Sequence, residues 1–331
     1  MQISVIIPAY QSRGSLPRCL AALRASTLLP ADVVVVDDGS TDGTGELAGA
    51  AGATVVPVPA GPLGPAAARN RGAAHAGGDI LLFLDADVAV HADALARIAD
   101  CFRDHAEVAA LFGSYDDEPT ERTLVSRYRN LLHHHVHQHG REDASAFWAG
   151  CGAVRRAVFE AVGGFDERFT HPSIEDIEFG SRLRDGGHRI WMRPEIQATH
   201  LKRWTLRSVL RSDIFDRAIP WSRLIVRRGA LPDDLNTATS GRVSAAASWV
   251  LVAAGGLGLA TRDGRWAFVA LTAFAVLQVV NRSLYRLLLR KGGLPLLGAG
   301  VALHLVYFLY SSAVFAAIAG THLLRRTGAG A

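Results

Sequence analysis

Apolar and polar residues fall into blocks along the first 112 positions, and the blocks have two periods. Ile3 to Ile7 is a short apolar run closed by Pro8, which predicts a strand buried on both faces. Residues 14–27 put Leu16, Leu20 and Leu23 on one helical face. A second strand is expected at Val33–Val36, broken by the polar cluster Asp37 to Asp42, which supplies turn chemistry and a helix N-cap. A helix through about Gly49 follows, then a strand at Ala53–Val58. A Pro/Gly loop from Pro57 to Pro65 leads into a helix over Ala66–Ala76. Ile80–Leu84 is another strand, and a helix covers about Ala92–Arg103. Strands separated by helices predict βαβ crossovers and an α/β fold with a mainly parallel sheet.

Further along, residues 120–140 are predicted helical and unusually rich in His. Residues 147–155 read as a strand or strand-loop, 156–163 as a short helix ended by Gly163 and Gly164, 175–186 as a helix, and 189–192 as a strand. From His200 to Arg228 the apolar positions, Trp204 and Trp221 among them, are interleaved with Lys and Arg. That pattern predicts one or two amphipathic helices in a membrane interface, or else a domain-closing helix with a solvated basic face.

The composition changes near Gly241. Residues 1–240 carry nearly all the acids, whereas 243–324 contain only Asp263. Apolar helices are expected at about 243–260, 266–289 and 294–323, with no polar face left for water. The loop bearing Arg282, Arg286, Arg290 and Lys291 is expected on the cytosolic side under the positive-inside rule; either the last helix pair is re-entrant or Arg325 and Arg326 are a tolerated exception to it. The net charge is only +4, and its placement beside the apolar stretches suits lipid headgroups rather than a nucleic-acid groove. Cys19, Cys101 and Cys151 form no CxxC pair, which argues against a disulfide framework or zinc site. The N-terminus opens straight into a strand, so no cleavable signal peptide is expected.

Ligands of open α/β sheets bind beyond the carboxyl ends of the strands, and the acidic clusters fall there. Asp85-Ala86-Asp87 closes a strand and offers two carboxylates to a hard divalent cation that bridges phosphates; acidic turns without function look the same. Asp37 and Asp38 suit a nucleobase or ribose, or simple capping. Arg69 and Asn70 follow the Pro/Gly loop and have reach for phosphate or base, though a structural salt bridge is the alternative for the arginine. Glu175 and Asp176 open a helix, where a carboxylate serves as a general base or as a favourable N-terminal charge. His200 ends a strand-like segment and is a further candidate metal or diphosphate ligand. In the run His133 to His139, His133 and His137 share a face, and a structural or acceptor-site role is expected rather than a metal. Trp148 is a candidate for stacking on a sugar, with core packing as the equal alternative. No G-x-G-x-x-G follows the first strand, which excludes a dinucleotide-binding fingerprint.

The motifs taken together resemble glycosyltransferase family 2 of the GT-A fold. They are Ile3–Tyr10, Val36–Asp42, Ala68–Gly72, Phe83–Asp87, Gly163–Glu167 and Glu175–Asp176, in the family's order over about 200 residues. The resemblance implies a nucleotide-sugar donor held by Pro8, Ala9, Tyr10, Asp38, Arg69, Asn70, Asp85, Ala86 and Asp87. It implies a divalent cation, Mg²⁺ or Mn²⁺, on Asp87 and His200. Asp176 would be the catalytic base of an inverting transfer, and Trp148, Gly150, Cys151, Gly152 and Glu175 the acceptor side. The segment His200 to Trp204 partly resembles the Q-x-x-R-W signature of processive synthases, with His in place of Gln; the few helices expected after Gly241 favour single-sugar transfer instead.

The expected organisation is therefore a GT-A domain over 1–200, an interfacial amphipathic region over 201–240 and a helical membrane region over 241–331. The expected partners are the nucleotide sugar, a membrane lipid or lipid-linked acceptor and the bilayer, with no nucleic acid. The expected location is the inner or plasma membrane, multi-pass, with the catalytic domain facing the cytoplasm. A processive synthase subunit and a non-catalytic membrane scaffold are the rival readings.

Overall fold

The computed structural model describes residues 1–58, 61–229, 231 and 233–328. Pro59 and Ala60 of the expected Pro/Gly loop, Ala230 and Pro232 of the expected interfacial region, and the last three residues of the expected membrane region lie outside the described residues. The chain forms two compact units, residues 1–121 with 136–203, and residues 122–135 with 204–331.

The first unit is built on an eight-stranded sheet in the order β3-β2-β1-β4-β7-β6-β8-β5. Its strands are β1 (Ile3–Ala9), β2 (Asp32–Asp37), β3 (Thr54–Pro57), β4 (Ile80–Leu84), β5 (Val88–Val90), β6 (Val108–Tyr115), β7 (Cys151–Arg155) and β8 (Arg189–His200). The helices between them are α1 (Leu16–Arg24), α2 (Thr44–Ala50), α3 (Pro65–His75), α4 (Ala94–Asp104), α5 (Leu124–His139), α6 (Arg156–Val162) and α7 (Glu175–Asp185). The β3-β2-β1-β4 run and the β6-β8 pair are parallel; β7 is antiparallel to both its neighbours, and β5 is antiparallel to β8. The sheet is thus mixed and mostly parallel, as the alternating pattern implies. β4 is buried along its whole length, so it lacks a polar face and reads as a continuous apolar run.

Local departures have local causes. α2 begins at Gly43 in the left-handed region without a side-chain cap; Asp42 accepts a hydrogen bond from the Thr44 N–H instead. The strand expected to end at Met192 runs on to His200, because it pairs with β6 and then with β5. Gly72 of α3 lies directly over the sheet: a Cβ there would overlap the Ile6 side chain and crowd Val36. Only glycine lets the helix approach β1 and β2 that closely.

The second unit takes the first part of α5 and then α8 (Leu206–Arg211), a π-helical stretch (Ser212–Ala218) and α9 (Ile219–Arg228), which run on without a break. Three helices follow: α10 (Thr239–Thr261), α11 (Gly264–Val280) and α12 (Arg282–Gly328), the last broken at Gly292 and Gly293. The segment expected as one helix over 266–289 is therefore two, because Asn281 leaves the helix and its amide donates to Ser244 Oγ and the Leu277 carbonyl. Thr239–Thr261 and Arg282–Arg325 are long and apolar enough to cross a membrane, and Gly264–Val280 is shorter. Within this unit the Arg129 guanidinium pairs with Asp213 at 2.6 Å and lies 5.7 Å over the Trp204 ring; Tyr310 donates to the same carboxylate at 2.6 Å. Trp204 is buried against α5, its backbone N–H donating to Ser126 Oγ.

Candidate functional site

The register of the sheet decides which chemical groups meet. Asp38 and Asp85 follow directly on β2 and β4, and Tyr10 follows β1 with half its surface exposed. Pro8 and Ala9 are the last residues of β1, and the Ala9 carbonyl accepts the Asp38 N–H at 2.9 Å. The Asp38 carboxylate is buried, and its two oxygens accept the Leu63 and Gly64 N–H groups, each at 2.8 Å. It fixes the Pro/Gly loop beside the strand end. Gly64 is in the left-handed region, and a Cβ on it would collide with the Thr170 backbone.

Arg69, at the heart of α3, is buried with both Asp85 and Glu175 as partners at 2.8 Å. Burial alone would drive its proton off, but Asp85, Glu175 and Asp176 outweigh that and hold the guanidinium above its ordinary range. Desolvation pushes Asp85 up, with Arg69 opposing and Asp87 adding to the rise. Glu175 also accepts the Ser173 N–H at 2.8 Å. Arg69 takes the salt-bridge alternative that its sequence position left open, and Glu175 is buried in the same tie. Asn70 is likewise committed: its amide donates to the Phe165 carbonyl and Glu167 and accepts the Phe165 N–H, so it braces the Gly163–Glu167 turn instead of reaching the donor.

Asp176 is half-buried at the first turn of α7, where one oxygen accepts the Ala149 N–H at 3.3 Å and the other the Ile177 N–H at 2.8 Å. Ala149 precedes β7, whose Cys151 pairs with Leu84, and the Gly150 carbonyl accepts the Asp85 N–H at 3.2 Å. The sheet thereby connects the Asp85–Asp87 turn to the segment that holds Asp176. Gly150 and Gly152 are tightly packed: a Cβ on either would overlap the Trp148 indole or the Phe147 ring. Cys151, expected on the acceptor side, is buried in the core, and desolvation lifts its thiol to about 12, so it presents nothing to a ligand.

Val88 of β5 pairs with His200 of β8, which brings His200 Nε2 to 3.7 Å from Asp87 Oδ2. Ala86, between the two aspartates, is buried. Desolvation would raise Asp87, but the His200 hydrogen bond and the charges of His200 and Lys202 prevail and lower it. The His200 ring stacks on Tyr115, 4.3 Å apart and tilted by 9°. Trp148 meets Tyr115 edge-on at 4.8 Å and His137 at 4.9 Å, so Trp148 is part of an aromatic wall and only half-buried. His137 Nδ1 lies 3.1 Å from the Gly113 carbonyl.

No set of three or more His, Cys, Asp or Glu side chains placed to share a metal occurs among the described residues. One carboxylate and one imidazole nevertheless fit a divalent cation whose remaining ligands are diphosphate oxygens and water, the usual arrangement for Mg²⁺ or Mn²⁺ on a nucleotide. One group that sequence reasoning passed over is Asp116, which follows β6. It is buried, lies 2.9 Å from His91 Nε2 and accepts the Thr199 hydroxyl, clamping the strand that ends at His200.

These features define a class: a GT-A fold with acidic strand ends and a carboxylate-bearing helix facing them. Solved structures agree on the fold. The mannosyltransferase PcManGT from Pyrobaculum calidifontis, solved with GDP-Man and Mn²⁺, is 20% identical with a TM-score of 0.54, over 97% of this chain and 87% of that one. S. aureus TarS 1-349 in complex with UDP-GlcNAc is 19% identical with a TM-score of 0.51, over 99% and 92%. Residues 4–163 match the model of Glycosyl transferase family 2. The chain is 33% identical over 200 residues to the succinoglycan biosynthesis protein ExoA of Rhizobium meliloti, covering 57% of this chain and 59% of ExoA. It is 27% identical over 234 residues to the N-acetylglucosaminyl-diphospho-decaprenol L-rhamnosyltransferase of Mycobacterium tuberculosis, covering 60% of this chain and 76% of that one.

Proposed function

We propose that the chain is an inverting glycosyltransferase that moves one sugar from a UDP- or GDP-sugar to a membrane-held acceptor, a lipid-linked saccharide or polyprenyl phosphate, in cell-envelope glycan or glycolipid synthesis. The observation that carries this reading is the Arg69 tie. One buried guanidinium joins Asp85, beside the donor-side acids, to Glu175, the neighbour of Asp176. Donor-side and acceptor-side carboxylates are thus held in a single rigid frame, as a direct displacement requires.

In that displacement an acceptor hydroxyl gives its proton to Asp176. Its oxygen forms a bond to the anomeric carbon while the bond to the diphosphate oxygen breaks, the electron pair leaving with the nucleoside diphosphate. The Ala149 and Ile177 N–H groups hold the Asp176 carboxylate in place to take that proton. Asp38 shapes the loop around the nucleoside, with Tyr10 exposed beside it. Asp87 and His200 would hold a divalent cation, which when bound neutralises the leaving diphosphate. Because a phosphate acceptor is already ionised, a base in this position favours a hydroxyl acceptor.

The relatives support the setting: one is named for succinoglycan biosynthesis and another for transfer to a decaprenol-linked sugar. The apolar helices support residence in the inner or plasma membrane. Cytosolic nucleotide sugar and the basic segment Arg282–Lys291 support a cytoplasmic catalytic face. The test is nucleotide release by the full chain in native lipids, across a panel of nucleotide sugars, with and without Mn²⁺. We expect metal-dependent release with one donor, one sugar added per acceptor, and loss of transfer in Asp87→Asn and Asp176→Asn. Metal-independent turnover that survives Asp87→Ala would overturn the mechanism, and a polymeric product would overturn single transfer.

A further inference from the structure

The continuous helix from Leu206 to Arg228 exposes Arg207, Arg211, Arg223 and Arg227, along with Arg228 at its end. None of the first four forms an ion pair among the described residues. In an uninterrupted α-helix, at about 100° per residue, the twenty steps from Arg207 to Arg227 end roughly 200° apart, on opposite faces. The seven π-helical residues, Ser212–Ala218, change this. At roughly 4.4 residues per turn each advances about 82°, so the offset shrinks to about 75°. The π stretch therefore resets the phase, and the two arginine pairs share one face. Phe215, 65% exposed, lies between them, and Leu206, 48% exposed, opens the same helix.

The sequence supplies a cause. Pro220 has no N–H and its ring would collide with the carbonyl four residues back, so a regular α-helix is not available there; the wider turn upstream makes room. The opposite side of the helix is anchored, since Asp213 is buried against Arg129 and Tyr310. The segment's other acid, Asp216, is half-buried and engaged within the fold.

We propose that this phase-reset face docks on the anionic phospholipid headgroups of the bilayer, which deepens, and rests on, the membrane reading above. Guanidinium groups match phosphate geometry in a bidentate way. The exposed Phe215 and Leu206 decide the occupant. Beside a soluble polyanion they would stay in water, whereas at a headgroup–acyl boundary they are buried while the arginines meet phosphate.

The test uses the full chain with Phe215→Cys, labelled with an environment-sensitive fluorophore; the three native thiols are buried, so the label goes to one site. The protein is reconstituted in phosphatidylcholine vesicles with increasing phosphatidylglycerol, and quenching by brominated lipid is read. Quenching should rise with the anionic fraction and fall in 1 M salt, where fields act over only about 3 Å. Each arginine near such a surface contributes about 1 kcal/mol, a factor of roughly five in partitioning. Changing all four to Gln should therefore abolish the anionic dependence, while changing all four to Lys should keep most of it. Quenching that ignores the anionic fraction, or survives the fourfold Gln change, overturns the proposal while the membrane reading stands. Failure of the protein to float with neutral phosphatidylcholine vesicles overturns the membrane reading and the proposal together.

Discussion

Replacing Arg69 by Met keeps much of the side-chain volume and removes the charge that two carboxylates share. The Arg69 and Glu175 side chains are 5% and 6% exposed, whereas Asp85 retains 36% and can rehydrate. The loss therefore falls on Glu175, which among the described residues keeps only the Ser173 N–H. Stripping one member from a buried pair costs about 3–5 kcal/mol. The alternative open to Glu175 in the variant is to take up a proton, which relieves the uncompensated buried charge. For an acid whose folded pKa is raised, this penalty is absent below the unfolded pKa. It grows as pH rises and is complete above the folded value. Pulse proteolysis of the reconstituted protein in urea, at pH 5 and at pH 8, should show the variant much closer to wild type at the lower pH. The double change Arg69→Met with Glu175→Gln should recover more than half of the loss at pH 8. A loss below about 1 kcal/mol, equal losses at both pH values, or no recovery in the double variant would refute the reasoning.

Asp38→Asn replaces two charge-assisted acceptors by one neutral acceptor and a donor that faces an N–H, a loss of about 1.5–3 kcal/mol. Calorimetric titration with the donor nucleotide should show affinity at least tenfold weaker, and unchanged affinity would free the loop from this role. Tyr115→Leu removes the ring stacked on His200 and should weaken Mn²⁺–nucleotide affinity, read by the Mn²⁺ spin-resonance signal, while Tyr115→Phe leaves it intact. Equal affinities in all three proteins would show that the stack does not position His200. Cys151, with its thiol lifted to about 12 by burial, and Cys19, also raised, should resist a thiol reagent at pH 8 until urea unfolds the unit.

The sequence announced the nucleotide-side half of the sheet because β1, β2 and β4 are short apolar runs with acids at their carboxyl ends. It was silent on β6, where all eight residues are buried and the run Val108–Tyr115 has no alternation to separate strand from helix. β5 has three residues, too few to show a period, yet it is what sets His200 beside Asp87. The acids of the site were legible as types, but not their partners. Arg69, Asn70 and Glu175 read as ligand-binding groups because they are polar and near motifs; only the packing of α3 against the 163–176 segment shows Arg69 paired with Glu175 and Asn70 tied to Phe165 and Glu167. The π stretch was equally hidden, since Pro220 marks a disturbance without fixing its form.

Gly72 gives the site a dependence that mutational surveys confined to polar residues would miss. It is one turn along α3 from Arg69, and its missing side chain sets the distance between the helix layer and the sheet. An alanine there would wedge the layers apart at Ile6 and carry the Arg69 end of the helix with it. The guanidinium would then have to stretch toward Asp85 and Glu175 from a displaced base. A shift of about 1 Å in groups that orient a reaction is enough to slow it on the order of a hundredfold. The tolerances of this carboxylate frame are thus set partly by a single hydrogen atom between the helix layer and the sheet.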